Sequence, residues 1–373
     1  MKSRAESSPR HEFGVTLVGL FLAFVVVFSM LRGSGNDPLV FAALGYTDTE
    51  TTPVIQEHLG RAGPVRAGVG HDGKYFLMQS WDPLYLDGQY TEAMDDPLYR
   101  ARRMLFPLLL GAGGLLPDHL TPWSMAYGQV LILGLGTLGA AKVSQELGGS
   151  PWAGLAFVLN PGLWFEVVIG GAGVLALATA VWGTWNVQRG RLGQASIWLM
   201  LSVLTREVML VYVAGLAVHH LLSKRKLPIA LVAPSIGGLL VWDVYLRLRL
   251  EPGAIVSSYR IVTWPFGGIM AASRTWADNG TIDRWTIFGV IVLLGVFTAS
   301  LPRLWKLAVI SGPAAFLVLS VLLSELVWFH GFDVSRAVSP VTTLLPIAVL
   351  PAARPVWARF RSGGGWRCAP GSP

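Results

Sequence analysis

Apolar runs long enough to cross a lipid bilayer dominate this chain. Its 373 residues are 53% hydrophobic and only 14% charged, whereas a soluble domain is nearer a quarter charged. A hydrocarbon core about 30 Å thick needs about 20 apolar helical residues. We therefore predict an all-α, polytopic transmembrane bundle of about 9–11 membrane segments. The predicted spans are 14–31, 123–143, 152–168, 170–187, 194–222, 227–246, 284–301, 307–329 and 337–353.

Basic residues in the short predicted loops give the expected orientation. They cluster on one side of the predicted bundle, which by the positive-inside rule is the cytoplasmic side. We therefore predict a multi-pass plasma or inner membrane protein with both termini in the cytoplasm. The net charge of +7 is explained by these loops, so no nucleic-acid partner is expected. The basic residues are Lys142, Arg189, Arg191, Lys224, Arg225, Lys226, Arg303 and Lys306, with others at both termini.

The predicted domain organisation is simple. Residues 1–361 form one transmembrane domain, and within it 32–103 form a long extracytoplasmic loop with short interfacial helices. Residues 362–373 are rich in Gly, Ser and Pro and predict a disordered cytoplasmic tail. No His and Cys residues have the spacing of a metal site, so we predict no cofactor, and nothing in the sequence supports a divalent metal.

The polar first loop contains the first candidate for chemistry. Asp72 stands in the sequence His71-Asp72-Gly73, and a carboxylate near a bilayer surface can accept a proton from a hydroxyl substrate. Gly73 allows a turn and a close approach of substrate. The competing interpretation is an ordinary Asp-Gly turn without function.

A second cluster lies at the end of the same loop. It stands just before an apolar segment, and its members are Asp95, Asp96, Tyr99, Arg100, Arg102 and Arg103. Arginine is a planar, permanently charged group that suits phosphate. Interfacial arginines with local ion pairs are the alternative.

The predicted span 194–222 is interrupted by Arg206 and Glu207. Ionisable residues within an apolar segment cost about 2.5–3.5 kcal/mol each and indicate function. Neighbours in a helix do not face each other, so each residue is expected to have a separate partner. If the flanking basic clusters are both cytoplasmic, the segment enters and returns as a hairpin. A loop tip outside the membrane is the alternative.

Three further charged residues stand within or beside apolar spans. Arg336 opens the last span, where it either reaches a phosphate or is a solvated helix-end charge. Glu166 follows a helix-breaking Asn-Pro-Gly and is interpreted as a residue at a span end. Asp243 is expected to pair with Arg247 four residues later.

Taken in order, these segments resemble the GT-C superfamily of integral membrane glycosyltransferases. The resemblance is strongest to bacterial members related to the GPI mannosyltransferase II group and to aminoarabinose and dolichyl-phosphate-mannose transferases, and it extends over residues 14–355. The motifs that carry it are HDGKYF at 71–76, DP at 82–83, DPLYRARRMLFP at 96–107, NPG at 160–162, LTRE at 204–207, PFGG at 265–268 and SRAVSP at 335–340.

The resemblance implies a hexosyltransferase that takes a sugar from a polyprenyl-phosphate donor to a glycan, lipid or protein acceptor of the cell envelope. Asp72 would be the general base. Arg103, Arg206 and Arg336 would hold the departing lipid phosphate and stabilise charge that grows in the transition state. The full set expected to bind substrate is Arg100, Arg103, Arg206, Glu207, Arg336, Tyr75 and Asp96.

The chain departs from the family pattern at two positions. His71 stands where an aromatic residue is usual, and Gly173 where an acidic residue is often found. Two alternatives therefore stay open. One is a lipid or small-molecule transporter or flippase in which Arg206 and Glu207 line a path. The other is an envelope-assembly protein with a degenerate site.

Overall fold

The computed structural model describes residues 9–88, 90–224, 228–250 and 261–352, and these form an all-α fold, about 75% helical. In the described part of the chain, the only paired strands are β1 (Leu44–Gly45) and β2 (Val65–Arg66), which are parallel with Leu44 opposite Val65. The all-α prediction is confirmed. The predicted tail at 362–373 lies outside the described residues.

Ten α-helices precede the break at residue 206. They are α1 (Pro9–Gly33), α2 (Thr51–His58), α3 (Gly73–Trp81), α4 (Pro97–Ala101), α5 (Leu105–Leu110), α6 (Thr121–Glu146), α7 (Leu155–Val158), α8 (Pro161–Val168), α9 (Gly173–Gln188) and α10 (Leu192–Thr205).

Eight α-helices follow it. They are α11 (Met209–Lys224), α12 (Ile229–Arg249), α13 (Gly267–Ala272), α14 (Thr281–Leu304), α15 (Ala308–Leu322), α16 (Glu325–Trp328), α17 (Gly331–Ala337) and α18 (Ser339–Ala352). Short 3-10 helices join several of them, at Pro38–Ala42, Thr91–Ala93, Ala112–Gly114, Asp118–Leu120, Pro151–Gly154 and Trp276–Asp278.

Four helical segments of the described chain are long and apolar enough, by length and composition, to cross a membrane. They are His11–Gly33, Asp118–Glu146, Ile229–Arg249 and Thr281–Leu304. Shorter apolar helices occur at Leu192–Thr205, Met209–Lys224, Ala308–Leu322 and Ser339–Val349. These helices indicate a membrane protein. The finer prediction of 9–11 segments stays a prediction.

The predicted span 152–168 is not one continuous helix. Pro161 has no N–H to continue the hydrogen-bond ladder of α7, so a new helix, α8, begins there. The Asn160 side chain accepts the Gly162 amide at 2.8 Å and donates to the Thr343 hydroxyl at 2.6 Å. The break therefore ties the start of α8 to α18.

Close helix packing builds the frame around this break. Helix α6 packs against both α1 and α9, α10 packs between α9 and α12, and α11 packs on α15. Glycines allow close approach, as small residues do in membrane helix pairs. A Cβ at Gly19 would lie 2.9 Å from the Thr137 side chain, and one at Gly183 would lie 2.8 Å from Leu199.

The polar segment between α1 and α6 is held against this frame by buried polar contacts. Lys74 donates to Asp48 at 2.7 Å, and both side chains are almost fully buried. Arg66 donates to the carbonyl of Val40 at 3.2 Å and to that of Val168 at 2.6 Å. These contacts seat the start of α3, and with it Asp72, at the end of α8.

Candidate functional site

Asp72 stands at the first turn of α3 in a tightly packed stretch of backbone. The Gly73 amide donates to the Ile169 carbonyl at 3.0 Å. A Cβ at Gly73 would lie 2.5 Å from the Phe41 carbonyl oxygen and 2.6 Å from that of Ile169, so only glycine fits without a shift. Asp72 occupies the N-cap position of α3, yet its side chain makes no cap hydrogen bond. Its carboxylate is therefore available to other partners.

Three arginines surround the Asp72 carboxylate. Arg100 Nη1 donates to Oδ1 at 2.7 Å, and Arg103 Nη1 donates to Oδ2 at 3.3 Å. Arg336 Nη2 lies 3.7 Å from Oδ2. Burial on its own raises the pKa of Asp72, but Arg100, Arg103 and Arg336 outweigh it and hold this pKa well below its ordinary value. Asp72 is therefore ionised at every pH near neutrality.

Helix α4 supplies Arg100, and the turn that follows the helix supplies Arg103. The Arg103 amide donates to the Arg100 carbonyl at 3.3 Å, which keeps the two arginines close together. Asp95 holds Arg100 from the other side, accepting from its Nε at 2.8 Å and its Nη2 at 2.7 Å. Tyr75 packs under Arg100, whose guanidinium carbon lies 4.2 Å from the ring centroid.

The break between α10 and α11 supplies the next two charges. Arg206 has an extended backbone that ends α10, and α11 begins at Met209. Arg206 Nη1 donates to Oε1 of Glu166 at 2.7 Å, while Glu207 accepts from Nε and Nη2 of Arg103, both at 3.4 Å. The prediction that these neighbours have separate partners is confirmed.

Glu166 also binds the arginine from α17. Arg336 Nε donates to Oε1 of Glu166 at 3.0 Å, and Arg336 Nη1 donates to Asp333 Oδ1 at 3.2 Å. The second carboxylate oxygen of Glu166 accepts the Gly173 amide at 3.0 Å. Glu166 therefore joins α8, α9, α17 and the break after α10.

A cavity of about 510 Å³ is lined by side chains of two chemical kinds. We name its polar and charged lining, with three arginines and three carboxylates, the polar wall, and its apolar lining the apolar wall. The polar wall is formed by His71, Asp72, Tyr99, Arg103, Arg206, Glu207, Asp333 and Arg336. The apolar wall includes Val208, Met209, Ile261, Phe316, Leu319, Leu323, Leu326 and Val327.

His71 lies on the polar wall beside Asp72. Its ring meets the Phe332 ring edge-on, with 6.4 Å between centroids. Burial lowers the pKa of His71, and Arg336, Arg66 and Lys74 lower it further, while Asp72 acts in the opposite direction. The imidazole is therefore neutral at physiological pH.

Three residues expected to bind substrate, Asp96, Tyr75 and Arg100, do not line the cavity. Asp96 accepts the Tyr99 amide at 3.0 Å and caps α4. Tyr75 is buried beneath Arg100. Tyr75 packs against Arg100, and Asp96 caps the helix that carries Arg100. Arg100 is connected to the cavity by its hydrogen bond to Asp72. Elsewhere, Asp243 pairs with Arg247 at 2.7 Å as predicted, and with Arg102 at 2.9 Å.

The sequence did not single out Glu166 or Asp333 as members of this site. The signal for Glu166 was a carboxylate in an apolar stretch, which costs free energy unless it has a partner. Among the described residues, no group of three or more His, Cys, Asp and Glu side chains is arranged to hold a metal ion.

Comparisons with known proteins identify no relative of this chain. Models of protein families, curated proteins and solved structures were all searched, and none matches this chain. The function of the cavity is therefore inferred from its own residues and from the motifs at 71–76, 96–107, 160–162, 204–207 and 335–340.

Proposed function

We propose that this protein is a polytopic membrane glycosyltransferase of the GT-C type, which moves a hexose from a polyprenyl-phosphate donor to a cell-envelope glycan, lipid or protein. The observation that carries the proposal is the two-walled cavity. Its polar wall includes Asp72, Arg103, Arg206 and Arg336, and most of its remaining lining is apolar. A lipid-linked sugar phosphate has the same division into a charged head and an apolar chain.

The proposed location is the plasma or inner membrane with both termini in the cytoplasm. The four long apolar helical segments support membrane insertion, and the short basic loops support this orientation. In this arrangement residues 32–103 and the cavity face the extracytoplasmic side, where a donor diffusing in the bilayer meets an envelope acceptor. Membrane lipids are then its permanent surroundings.

The arginines are suited to the phosphate of the donor. A guanidinium is always charged and presents its N–H donors in a plane that matches phosphate oxygens. Within a cavity that partly excludes water, such donors stabilise negative charge more strongly than they do in bulk water. The apolar wall, with Phe316, Leu319 and Leu323 among its residues, suits the first isoprene units of the lipid.

Asp72 is the proposed general base. The acceptor hydroxyl gives its proton to an Asp72 carboxylate oxygen, and the acceptor oxygen forms a bond to the anomeric carbon of the sugar. The bond from that carbon to the phosphate oxygen breaks, and its electron pair leaves on the polyprenyl phosphate. The arginines compensate the charge that develops there.

A transporter or flippase is the second candidate, supported by the break at Arg206 and Glu207 between two apolar helices. The test is to incubate purified protein in lipid with a panel of polyprenyl-phosphate sugars. Our proposal expects loss of the lipid-linked sugar and release of polyprenyl phosphate. Movement of labelled lipid between leaflets, with no sugar consumed across the panel, would overturn it in favour of transport.

A further inference from the structure

Glu166 is the most deeply buried charged residue of the site. Its exposure is 1%, and it meets two arginines at the same oxygen, Arg206 at 2.7 Å and Arg336 at 3.0 Å. Two guanidinium groups this close repel each other unless an anion lies between them. Glu166 is the anion between them in this structure.

The surrounding backbone leaves room for this carboxylate. A Cβ at Gly173 would lie 2.5 Å from Oε1 of Glu166, and a Cβ at Gly171 would collide with Oε2. The Gly173 amide also donates to Oε2. The glycine at 173 therefore accommodates and orients the carboxylate of Glu166, which occupies the space that a side chain at 173 would fill.

The arginines of the cavity differ in how many donors they have left. All three guanidinium nitrogens of Arg103 face Asp72, Tyr99 or Glu207. Those of Arg336 likewise face Glu166, Asp333 and Asp72.

Arg206 is different, because Nη1 alone is bonded. Its Nε and Nη2 have no hydrogen-bond partner among the residues that the structure describes. Its side chain is also the most exposed of the three, at 22% against 12% for Arg336 and 6% for Arg103. An entering anion therefore finds free N–H groups at Arg206 and must displace carboxylates elsewhere.

We infer that Arg206 is the main phosphate-binding group of the cavity and that Glu166 is a positioning residue that directs Arg206 toward the phosphate. This inference rests on the proposed function and makes it more specific. It divides the arginines into Arg206, which binds the ligand, and Arg103 and Arg336, which chiefly hold Asp72, Glu207 and Asp333 in place.

The experiment compares the affinity of the full-length protein for a polyprenyl phosphate and for the corresponding uncharged polyprenol, both in lipid nanodiscs. The ratio of the two dissociation constants isolates the contribution of the phosphate from that of the chain. Two variants disturb the positioning in different ways. Glu166→Gln removes the charge, and Gly173→Ala keeps it but displaces the carboxylate. Glu12→Gln is the matched control, because Glu12 forms its ion pair with Lys142, away from the cavity.

We expect each site variant to lower the phosphate preference by about tenfold, the scale of one charged hydrogen bond, with polyprenol binding unchanged. Glu12→Gln should keep the wild-type ratio. Adding Arg206→Gln to Glu166→Gln should lower the preference little further, because the two residues act as one unit.

Three results separate the possible failures. Equal binding of phosphate and alcohol by the wild type would overturn the proposed function itself. A wild-type phosphate preference that both site variants retain would overturn only the role of Glu166. If both variants bind polyprenyl phosphate and polyprenol equally more weakly and also unfold at a lower temperature, the ion pair is merely structural. That result would overturn the positioning role of Glu166.

Discussion

Glu207 and Arg103 lie 104 positions apart in the chain and meet in the lining of the cavity, with Oε2 of Glu207 3.4 Å from Nε of Arg103. The contact joins the break after α10 to the end of α4. Because Arg103 also donates to Asp72, the pair connects the interrupted helix to the proposed base. The site is therefore a network of ion pairs, and removal of any one charged side chain leaves another charged side chain without its partner.

The first prediction concerns this pair. Arg103→Ala leaves Glu207 without its partner, and we expect the free energy of unfolding to fall by about 3 kcal/mol, as for other buried pairs that lose one member. Adding Glu207→Gln should recover part of this loss because it removes the unpaired charge. Unfolding midpoints of both single variants and the double variant in one detergent measure the coupling. If the stability losses of the two single variants simply add in the double variant, the predicted coupling between Arg103 and Glu207 is contradicted.

The second prediction concerns the backbone beneath Asp72. Gly73→Ala places a methyl group against the carbonyls of Phe41 and Ile169, so we expect a loss of about 1–3 kcal/mol in stability and a fall in turnover. Gly289→Ala is the matched control, since a Cβ there would meet nothing within 4 Å. Thermal unfolding and turnover measured for both variants test this. Wild-type stability and turnover in the Gly73→Ala variant would show that the close contacts do not constrain Asp72.

The third prediction concerns His71 and pH. Its pKa in the folded protein is below the ordinary 6.5, so below pH 6.5 the unfolded chain binds the proton more readily. The stability gained from a neutral His71 is complete above pH 6.5 and is lost as pH falls below that value. The unfolding temperature of the wild type should therefore drop more than that of His71→Gln between pH 7.5 and 5.5. If the unfolding temperatures of the wild type and His71→Gln fall by the same amount over this pH range, the lowered pKa of His71 is contradicted.

The fourth prediction concerns membrane orientation. With Cys368 replaced by Ser, Asp87→Cys should react with a membrane-impermeant thiol reagent added to intact cells, and Gln194→Cys should react only after permeabilisation. Both positions are exposed in the fold. Labelling of Gln194→Cys in intact cells, or protection of Asp87→Cys, would reverse or abolish the proposed topology.

Local features were predictable from sequence to different extents. The all-α class follows from apolar runs, and the break at Arg206 follows from the cost of charge in such a run. Separate partners for Arg206 and Glu207 follow from helix geometry. The identity of those partners could not be predicted, because Glu166 and Arg103 come from distant segments that are brought together only by packing.

Glu166 shows why the rest of the site was not predictable. In sequence it is a carboxylate near Asn-Pro-Gly, and a span end explains it equally well. Its contacts with Arg206, Arg336 and the Gly173 amide depend on how α8, α9 and α17 meet. Likewise Pro161 is visible as a helix breaker, but the tie from Asn160 to Thr343 is set by the tertiary fold.

The proposed mechanism depends on the Asp72 carboxylate, which Asp72→Asn removes. In a lipid assay with a donor that the wild type consumes, we predict that this variant loses sugar transfer by about 100-fold or more, the scale of a general base. It should still fold and bind polyprenyl phosphate, with a lower unfolding temperature because Arg100, Arg103 and Arg336 lose their shared anion. Asp118→Asn, at a surface pair with His58, should transfer sugar normally. Sugar transfer by Asp72→Asn at the wild-type rate would contradict the account.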